Sequence, residues 1–415
     1  MLLSRVATAR LGTRRLATKR EYDLVLFGAT GYSGRMCADY LMRTHTGLRV
    51  ALAGRDRAKL EKVAAACAAA PRVLVADAQD TEALTRLAAS AEVVASTAGP
   101  FRKHGSLLVE ACAREGTSYA DITGESGWTL NMAALHHETC RRTGAVVVPQ
   151  AGFDSVPSDI GTMLAVKNHT HVTGAPPCEV RVYVTSMRGA RFQGGTVDTL
   201  AHELAEPIRP VKPSAIRSKT KTRIDWTHGA NPLKTVVLDG KTLNLSPFVM
   251  AGANCPIVRR SNSFLEYKDG LVYSEAMALP SFKLAVQNFA ALGVGSQLLK
   301  MGFLDFLRKR GLVPESGAGP TLKQARRASY TYVIVASGED GSRTETTWTG
   351  HGDPSAIATS IFLVETALGL LATRGKSEGG VLTPAAALGP GLWARLEAAK
   401  WDVADELPAV TVKYA

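Results

Sequence analysis

The chain lacks most of the marks of a secreted, metal-binding or membrane-spanning protein. Its six cysteines (Cys37, Cys67, Cys112, Cys140, Cys178 and Cys255) contain no C-x-x-C pair. That argues for reduced, buried thiols and against a zinc site or disulfide frame. No run of about 18 apolar residues occurs, so no transmembrane helix is expected. There is no Ser-His-Asp constellation and no metal cluster; His136 and His137 are adjacent in sequence, so on a helix they point to different faces. Acids are missing from residues 1–20, which carry Arg5, Arg10, Arg14, Arg15, Lys19 and Arg20. That leaves +6 of the formal +12 for the rest of the chain, a distribution that does not suggest a nucleic-acid partner. A basic, acid-free leader of this composition matches a mitochondrial transit peptide. The competing reading is a basic tail whose Ala/Arg bias comes from a GC-rich genome, which leaves the cytoplasm or a lipid-droplet or membrane surface as the location.

At 415 residues the remainder is a globular chain long enough for two domains. Its most informative stretch is Leu24-Val-Leu-Phe-Gly-Ala-Thr-Gly-Tyr-Ser-Gly34. An apolar strand runs into Gly28-x-x-Gly31-x-x-Gly34, and helical composition follows. Strand, glycine turn and helix together make the context of a dinucleotide loop. The glycines let the backbone approach a pyrophosphate, and the helix start offers free N–H groups and a favourable dipole end. Thr30, Tyr32 and Ser33 complete the loop. Further strands are expected at 49–53, 72–76, 92–96, 119–120 and 145–148, separated by helical patterns. This alternation predicts an N-terminal Rossmann-type doubly wound parallel sheet over residues 21–160.

Ligands of such sheets bind at the carboxyl ends of the strands. Gly54, Arg55, Asp77, Thr97, Gly99 and Pro100 fall there beside Gly28–Gly34. An arginine after the second strand suits the 2′-phosphate of NADP, whereas an acid suits the ribose of NAD. Arg55 therefore points to NADP over NAD, and Asp77 to the adenine edge. Candidates for chemistry follow the fifth and sixth strands, where Asp121, Thr123, Glu125, Asp154, Ser155 and Asp159 accompany glycines. Asp121, Asp154 and Ser155 are the proposed catalytic set. The alternative for the two aspartates is helix capping, at helices starting near Gly127 and Pro157.

In the second half, 178–184, 271–278, 330–336 and 344–349 alternate like half-buried strands, which predicts a second α/β domain over 161–350 with a largely antiparallel sheet. Helices in 351–415 are expected to return to the nucleotide half. Two segments stand apart. Ile208–Arg223 carries six cations and no acid; it reads as a solvated loop or as a docking patch for an anionic partner or membrane. Leu284–Leu299 is uncharged for 16 residues; it reads as a buried core helix, an interfacial helix or part of an acyl tunnel.

Three further blocks narrow the family: Tyr119-Ala-Asp-Ile-Thr-Gly-Glu125, Gly152-Phe-Asp-Ser-Val-Pro-Ser-Asp159 and Gly380-Val-Leu-Thr-Pro-Ala-Ala-Ala387. With the glycine loop, Thr97–Phe101, Gly194-Gly-Thr-Val-Asp198 and Arg259-Arg-Ser-Asn262, the chain resembles the saccharopine dehydrogenase-like oxidoreductases, and within them the trans-acting enoyl reductase branch. The resemblance spans about Glu21 to Leu392. It implies a nicotinamide cofactor and a second α/β domain for substrate or dimerisation, with a homodimer among its readings. Three functions stay open. One is an NADP-dependent reductase of a lipid-linked, carrier-linked or acyl enoyl or carbonyl substrate. Another is a saccharopine-type amino-acid dehydrogenase, for which Arg188, Arg191 and Arg259-Arg260 are the available carboxylate partners. The last is a non-catalytic nucleotide-binding protein of a lipid surface. No metal is expected.

The leader gives the first testable expectation. Residues 1–25 fused to a fluorescent reporter carry it to mitochondria in a eukaryotic cell, and the mature protein begins near Lys19–Tyr22. An intact Met1 on the native protein would refute the transit peptide.

Overall fold

The computed structural model describes residues 20–208, 219–402 and 405–415. The leader, most of the basic run and residues 403–404 lie outside them. The first half alternates strictly: β1 (Tyr22–Phe27), α1 (Tyr32–Thr44), β2 (Val50–Gly54), α2 (Arg57–Ala66), β3 (Arg72–Val75), α3 (Thr81–Ser90), β4 (Ala91–Ser96), a short α4 (Phe101–His104), α5 (Ser106–Glu115), β5 (Ser118–Asp121), α6 (Ser126–Thr143), β6 (Val146–Val148) and α7 (Val156–Thr173). The second half runs β7 (Glu179–Arg188), α8 (Gly194–Ala205), β8 (Thr222–Ile224), β9 (Thr235–Leu238), β10 (Lys241–Ser246), α9 (Ala251–Leu265) and β11 (Leu271–Leu279). It continues with α10 (Phe282–Lys300), α11 (Leu304–Lys309), α12 (Leu322–Arg326), β12 (Ser329–Ser337), β13 (Arg343–His351), a π turn (Pro354–Ala358) leading into α13 (Thr359–Ala372), β14 (Gly380–Val381), α14 (Pro384–Ala387), α15 (Pro390–Ala398) and β15 (Val410–Tyr414).

The first sheet has seven parallel strands in the order β14-β6-β5-β4-β1-β2-β3. Its central strands are apolar on both faces, as a sheet covered by helices on both sides requires. Val25, Phe27, Ala51, Val94 and Tyr119 pack toward α3, α5 and α6. Leu24, Leu26, Leu52, Val93 and Ala95 face the other way, toward α1, α2 and α13. Strand order reverses between β1 and β4, and a cleft opens at that switch point.

The second sheet is mixed and mostly antiparallel, in the order β15-β13-β12-β7-β11-β10-β9 with β8 beside β11. β7 and β8 pair with β11 in parallel. One continuous core joins the two sheets. Val180, Val182, Tyr332, Ile334 and Trp348 of the second sheet meet α7 and α13, whose other neighbours belong to the first. Trp348 is fully buried, with its ring 6.2 Å from that of Phe362 on α13. Among the described residues Pro354–Ala372 is the one helical stretch long and apolar enough to cross a bilayer, but it is mostly buried inside the protein. It is the core helix between the sheets.

The C-terminal stretch does more than return helices to the first sheet. β14 extends that sheet beyond β6, and β15 extends the second beyond β13. α10 departs from the core-helix expectation. Of its nineteen residues only Ala285 and Leu299 are buried.

Candidate functional site

The turn after β1 is built by steric exclusion. Gly28 sits at φ +81°, and a Cβ there would lie 2.8 Å from the Ala98 backbone nitrogen. The Thr97 hydroxyl donates to the Gly28 carbonyl at 3.1 Å, fixing the β4 loop against the β1 loop. Gly34 does not face the cleft. A Cβ on it would collide with the Gly28 carbonyl oxygen and lie 2.7 Å from Ala29 Cα, so it is the position that lets α1 pack tightly on the turn. Thr30, Gly31, Tyr32 and Ser33 line the cleft directly.

Tyr32 and Ser33 also do something the sequence did not reveal. The Tyr32 hydroxyl donates to the Pro320 carbonyl at 2.6 Å, and the Ser33 hydroxyl donates to Gln193 Oε1 at 2.8 Å. Gln193 in turn donates to the Ser355 carbonyl. The glycine loop is thus tied to the second half at the N-terminus of α8. At the other end of α8, Arg102 donates to the Glu206 carbonyl at 2.7 Å. α8 lies across the cleft, held at both ends by the first half.

The cleft has a volume of about 960 Å³ and runs from the ends of β2 and β3 to α8 and the start of α9. Gly54, Arg55, Asp77, Thr97, Gly99 and Pro100 all line its first-half wall. Arg55 is exposed and makes no hydrogen bond or ion pair with the described residues, so its guanidinium is available to a ligand. Asp56, the next residue, caps α2 through the Lys59 N–H at 3.0 Å. Asp77 accepts from the Gln79 N–H at 2.9 Å and stays at the solvent edge. These residues fit a phosphorylated dinucleotide: a glycine turn with no room for side chains, a helix N-terminus and one unpaired guanidinium.

The proposed catalytic set divides. Asp121 does not reach the cleft, because its Oδ1 accepts the backbone N–H groups of Thr123 and Gln150, both at 3.0 Å. Burial pushes its carboxyl up to about 7 despite those donors. It holds the fifth strand to the loop after the sixth, where Gln150 takes a left-handed φ of 61°. Ser155 is also withdrawn. Its hydroxyl receives from Gln150 Nε2 at 3.2 Å and donates to Asn254 Oδ1 at 3.3 Å. Asn254 continues to Ser158 and Glu275, in a polar network closed off from the cleft.

Only Asp154 of the three lines the cleft. It makes no hydrogen bond or ion pair with the described residues, and burial alone pushes its carboxyl up to about 6. The capping alternative fails for both aspartates. Glu125 and Ser155 occupy the N-cap positions of α6 and α7, and neither Asp121 nor Asp154 bonds to those helix starts. Glu125 instead accepts the Phe101 and Arg102 N–H groups at 2.6 and 2.8 Å, holding the Pro100 turn in place. Asp159 accepts the Ala385 N–H at 2.8 Å and pins α14.

The second-half wall comes mostly from residues that sequence reasoning left unassigned. Phe192, Leu200, Leu204, Val249 and Met250 make it apolar, and Asp198 and Glu203 add carboxylates. Glu203 is raised by burial and then by the nearby Glu125. Gly194–Asp198 was visible as a motif; Glu203 carried no signal of its own. Arg55 is the only arginine or lysine among the described residues of the lining. Arg188, Arg191, Arg259 and Arg260 are all absent from it, and Arg260 is buried with its guanidinium donating to the Val381 carbonyl at 2.9 Å.

Comparisons with known proteins agree with this geometry. Residues 24–148 match the saccharopine dehydrogenase NADP binding domain. A trans-acting enoyl reductase of Mycobacterium leprae is 33% identical over 407 residues, covering 92% of this chain and 97% of that one. A candidate trans-acting enoyl reductase of Mycobacterium tuberculosis is 36% identical over 410 residues, with the same coverage. Among solved structures, saccharopine dehydrogenase (L-Glu forming) from Saccharomyces cerevisiae superposes with a TM-score of 0.55 at 13% identity, covering 95% of this chain and all of that one. That likeness is one of fold.

An unpaired, partly buried carboxylate is destabilising when ionised. The Asp154 carboxyl is raised above its unfolded value, so the cost appears as pH rises through about 6 and vanishes below the ordinary carboxylate range. Asp154→Asn is therefore expected to raise the melting temperature by roughly 2–4 °C at pH 8, with the gain shrinking at pH 5. An equal effect at both pH values would show that Asp154 is not titrating as its surroundings dictate.

Proposed function

The chain belongs to the saccharopine dehydrogenase-like oxidoreductases, in the branch of the trans-acting enoyl reductases, and on that premise we propose that it is an NADPH-dependent reductase of an acyl-linked enoyl or carbonyl substrate. The observation that carries the reading is the composition of the cleft: one free cation at the nucleotide end, an apolar wall at the other, and the unpartnered Asp154 facing the space between. Arg55 holds the 2′-phosphate, and the backbone of Gly28–Gly31 with the start of α1 holds the pyrophosphate. Bound NADPH supplies a hydride to the electrophilic carbon.

Asp154 supplies the proton that balances that hydride. In an enoyl thioester the β-carbon receives the hydride and the α-carbon the proton; in a ketone the oxygen takes the proton. A carboxyl held near pH 6 by burial is protonated often enough to serve as a general acid close to neutrality. The apolar side chains of Leu200, Leu204, Val249 and Met250 suit an acyl chain. The second-half wall disfavours saccharopine, because its carboxylates there are Glu203 and an Asp198 already paired with Arg308, and no arginine or lysine of the described lining faces the substrate's own carboxylates.

Two measurements test the reading. NADPH is expected to raise the melting temperature more than NADH, and Arg55→Asp to cost about 10- to 100-fold in NADPH affinity and reverse the preference. Equal response to both nucleotides in the wild type would sink the role given to Arg55.

Turnover is read with a panel of enoyl and keto thioesters on pantetheine, with saccharopine as the comparison. Asp154→Asn should lower kcat by about 10²- to 10⁴-fold with NADPH binding intact, and wild-type kcat should fall as pH rises above about 6. A wild-type rate in Asp154→Asn would move the proton donor elsewhere. Reduction of NADP by saccharopine with no thioester turnover would replace the reductase with the amino-acid enzyme.

A further inference from the structure

We propose that α10 and α11 form a membrane-docking face that lies flat on a bilayer rich in anionic lipid. This face stands apart from the reductase chemistry and the cofactor, and it begins with what α10 leaves in water. Phe282, Val286 and Phe289, at i, i+4 and i+7 of the helix, are between 39% and 49% exposed, and Met301, Phe303 and Phe306 are exposed past its end. Single exposed apolar residues are ordinary, but an aromatic and aliphatic helix face left in water marks a partner. Gly293 and Gly295 add no cover, since a Cβ at either would meet nothing within 4 Å.

The charges around this face select the partner. From Phe282 to Pro314 the chain has five cations and one acid, Asp305. Arg308 is satisfied, at 2.5 Å from Asp198. Lys283, Lys300, Lys309 and Arg310 make no ion pair with the described residues; Arg310 instead lies over the Phe306 ring at 5.2 Å. The free cations stand at the two ends of the apolar helix. There they reach headgroup phosphates while Phe282, Val286 and Phe289, at i, i+4 and i+7 of one helix face, enter the acyl boundary, the arrangement of an interfacial helix.

A second copy fits poorly. Antiparallel pairing of two α10 helices would set Lys283 of one against Lys300 of the other, a like-charge contact at each end, and neither lysine has an ion-pair partner among the described residues of its own chain. Spanning is excluded by geometry, because α10 is anchored to α8, β10 and β11 of the second half, and the Ser246 hydroxyl donates to the Ala285 carbonyl at 2.9 Å.

The test is co-sedimentation of the whole protein with vesicles of phosphatidylcholine alone or with about 30% phosphatidylserine. Wild type is expected to sediment with the anionic vesicles and to be released by salt. Lys300→Gln with Lys309→Gln should weaken binding by about 20- to 30-fold, at roughly fivefold per cation. Gly293→Asp adds a carboxylate in open space without removing any packing, and should weaken binding at least about tenfold; Gly293→Ala at the same position should bind as wild type. Each variant must keep the wild-type melting shift with NADPH, which separates lost docking from lost fold. Wild type left in the supernatant with both vesicles overturns the proposal, as does equal binding by Gly293→Asp and Gly293→Ala. A concentration-dependent dimer that Gly293→Asp breaks, without vesicle binding, would assign the face to a second copy instead.

Discussion

Gly34 has no room for a methyl group, and the geometry of the cleft depends on that contact. Because α1 presses against the Gly28 carbonyl and Ala29, its first turn ends up at the carboxyl edge of β1 with its N–H groups facing the switch point. Tyr32 and Ser33 then stand where they reach Pro320 and Gln193. The same turn therefore shapes the nucleotide end and fastens the second half above it. A larger residue at position 34 would lift the helix, move both hydroxyls and open the cleft, so one close approach couples cofactor binding to the joining of the halves.

The carboxylates around the cleft show how a protein separates structure from chemistry. Asp121, Glu125 and Asp159 are all buried, and each accepts backbone N–H groups from a segment distant in sequence. Their charge is spent on holding loops together. Asp154 sits among them with no donor at all, and burial raises it without relief. A group kept at such a cost contributes nothing to holding the fold, which is why the proton donor of the proposed reaction is placed there.

Sequence reasoning placed those acids correctly at strand ends but had no means of sorting them. The donor to Asp121 comes from Gln150, and Ser155 is turned away by Asn254 on a helix almost a hundred residues later. The parallel sheet was legible because buried strands and intervening helices differ in period. β14 was not, since two residues carry no period at all. α10 was ambiguous for a related reason. A run without charges states that it avoids water, not which neighbour provides the shelter, and here the described residues bury only two of the helix's side chains.

That unsheltered helix is mechanically part of the cleft. Leu200 and Leu204 of α8 line the cavity on one side and pack with Leu298, Leu304 and the buried Leu299 and Leu307 on the other. α8 is fixed at its ends, through Gln193 to Ser33 and through Glu206 to Arg102. Between those fixed ends, the middle of α8 is held by α10 and α11 on one face and presents Leu200 and Leu204 to the cavity. The leucines of α8 that line the apolar wall facing Asp154 are thus backed by the same helices that carry the exposed face.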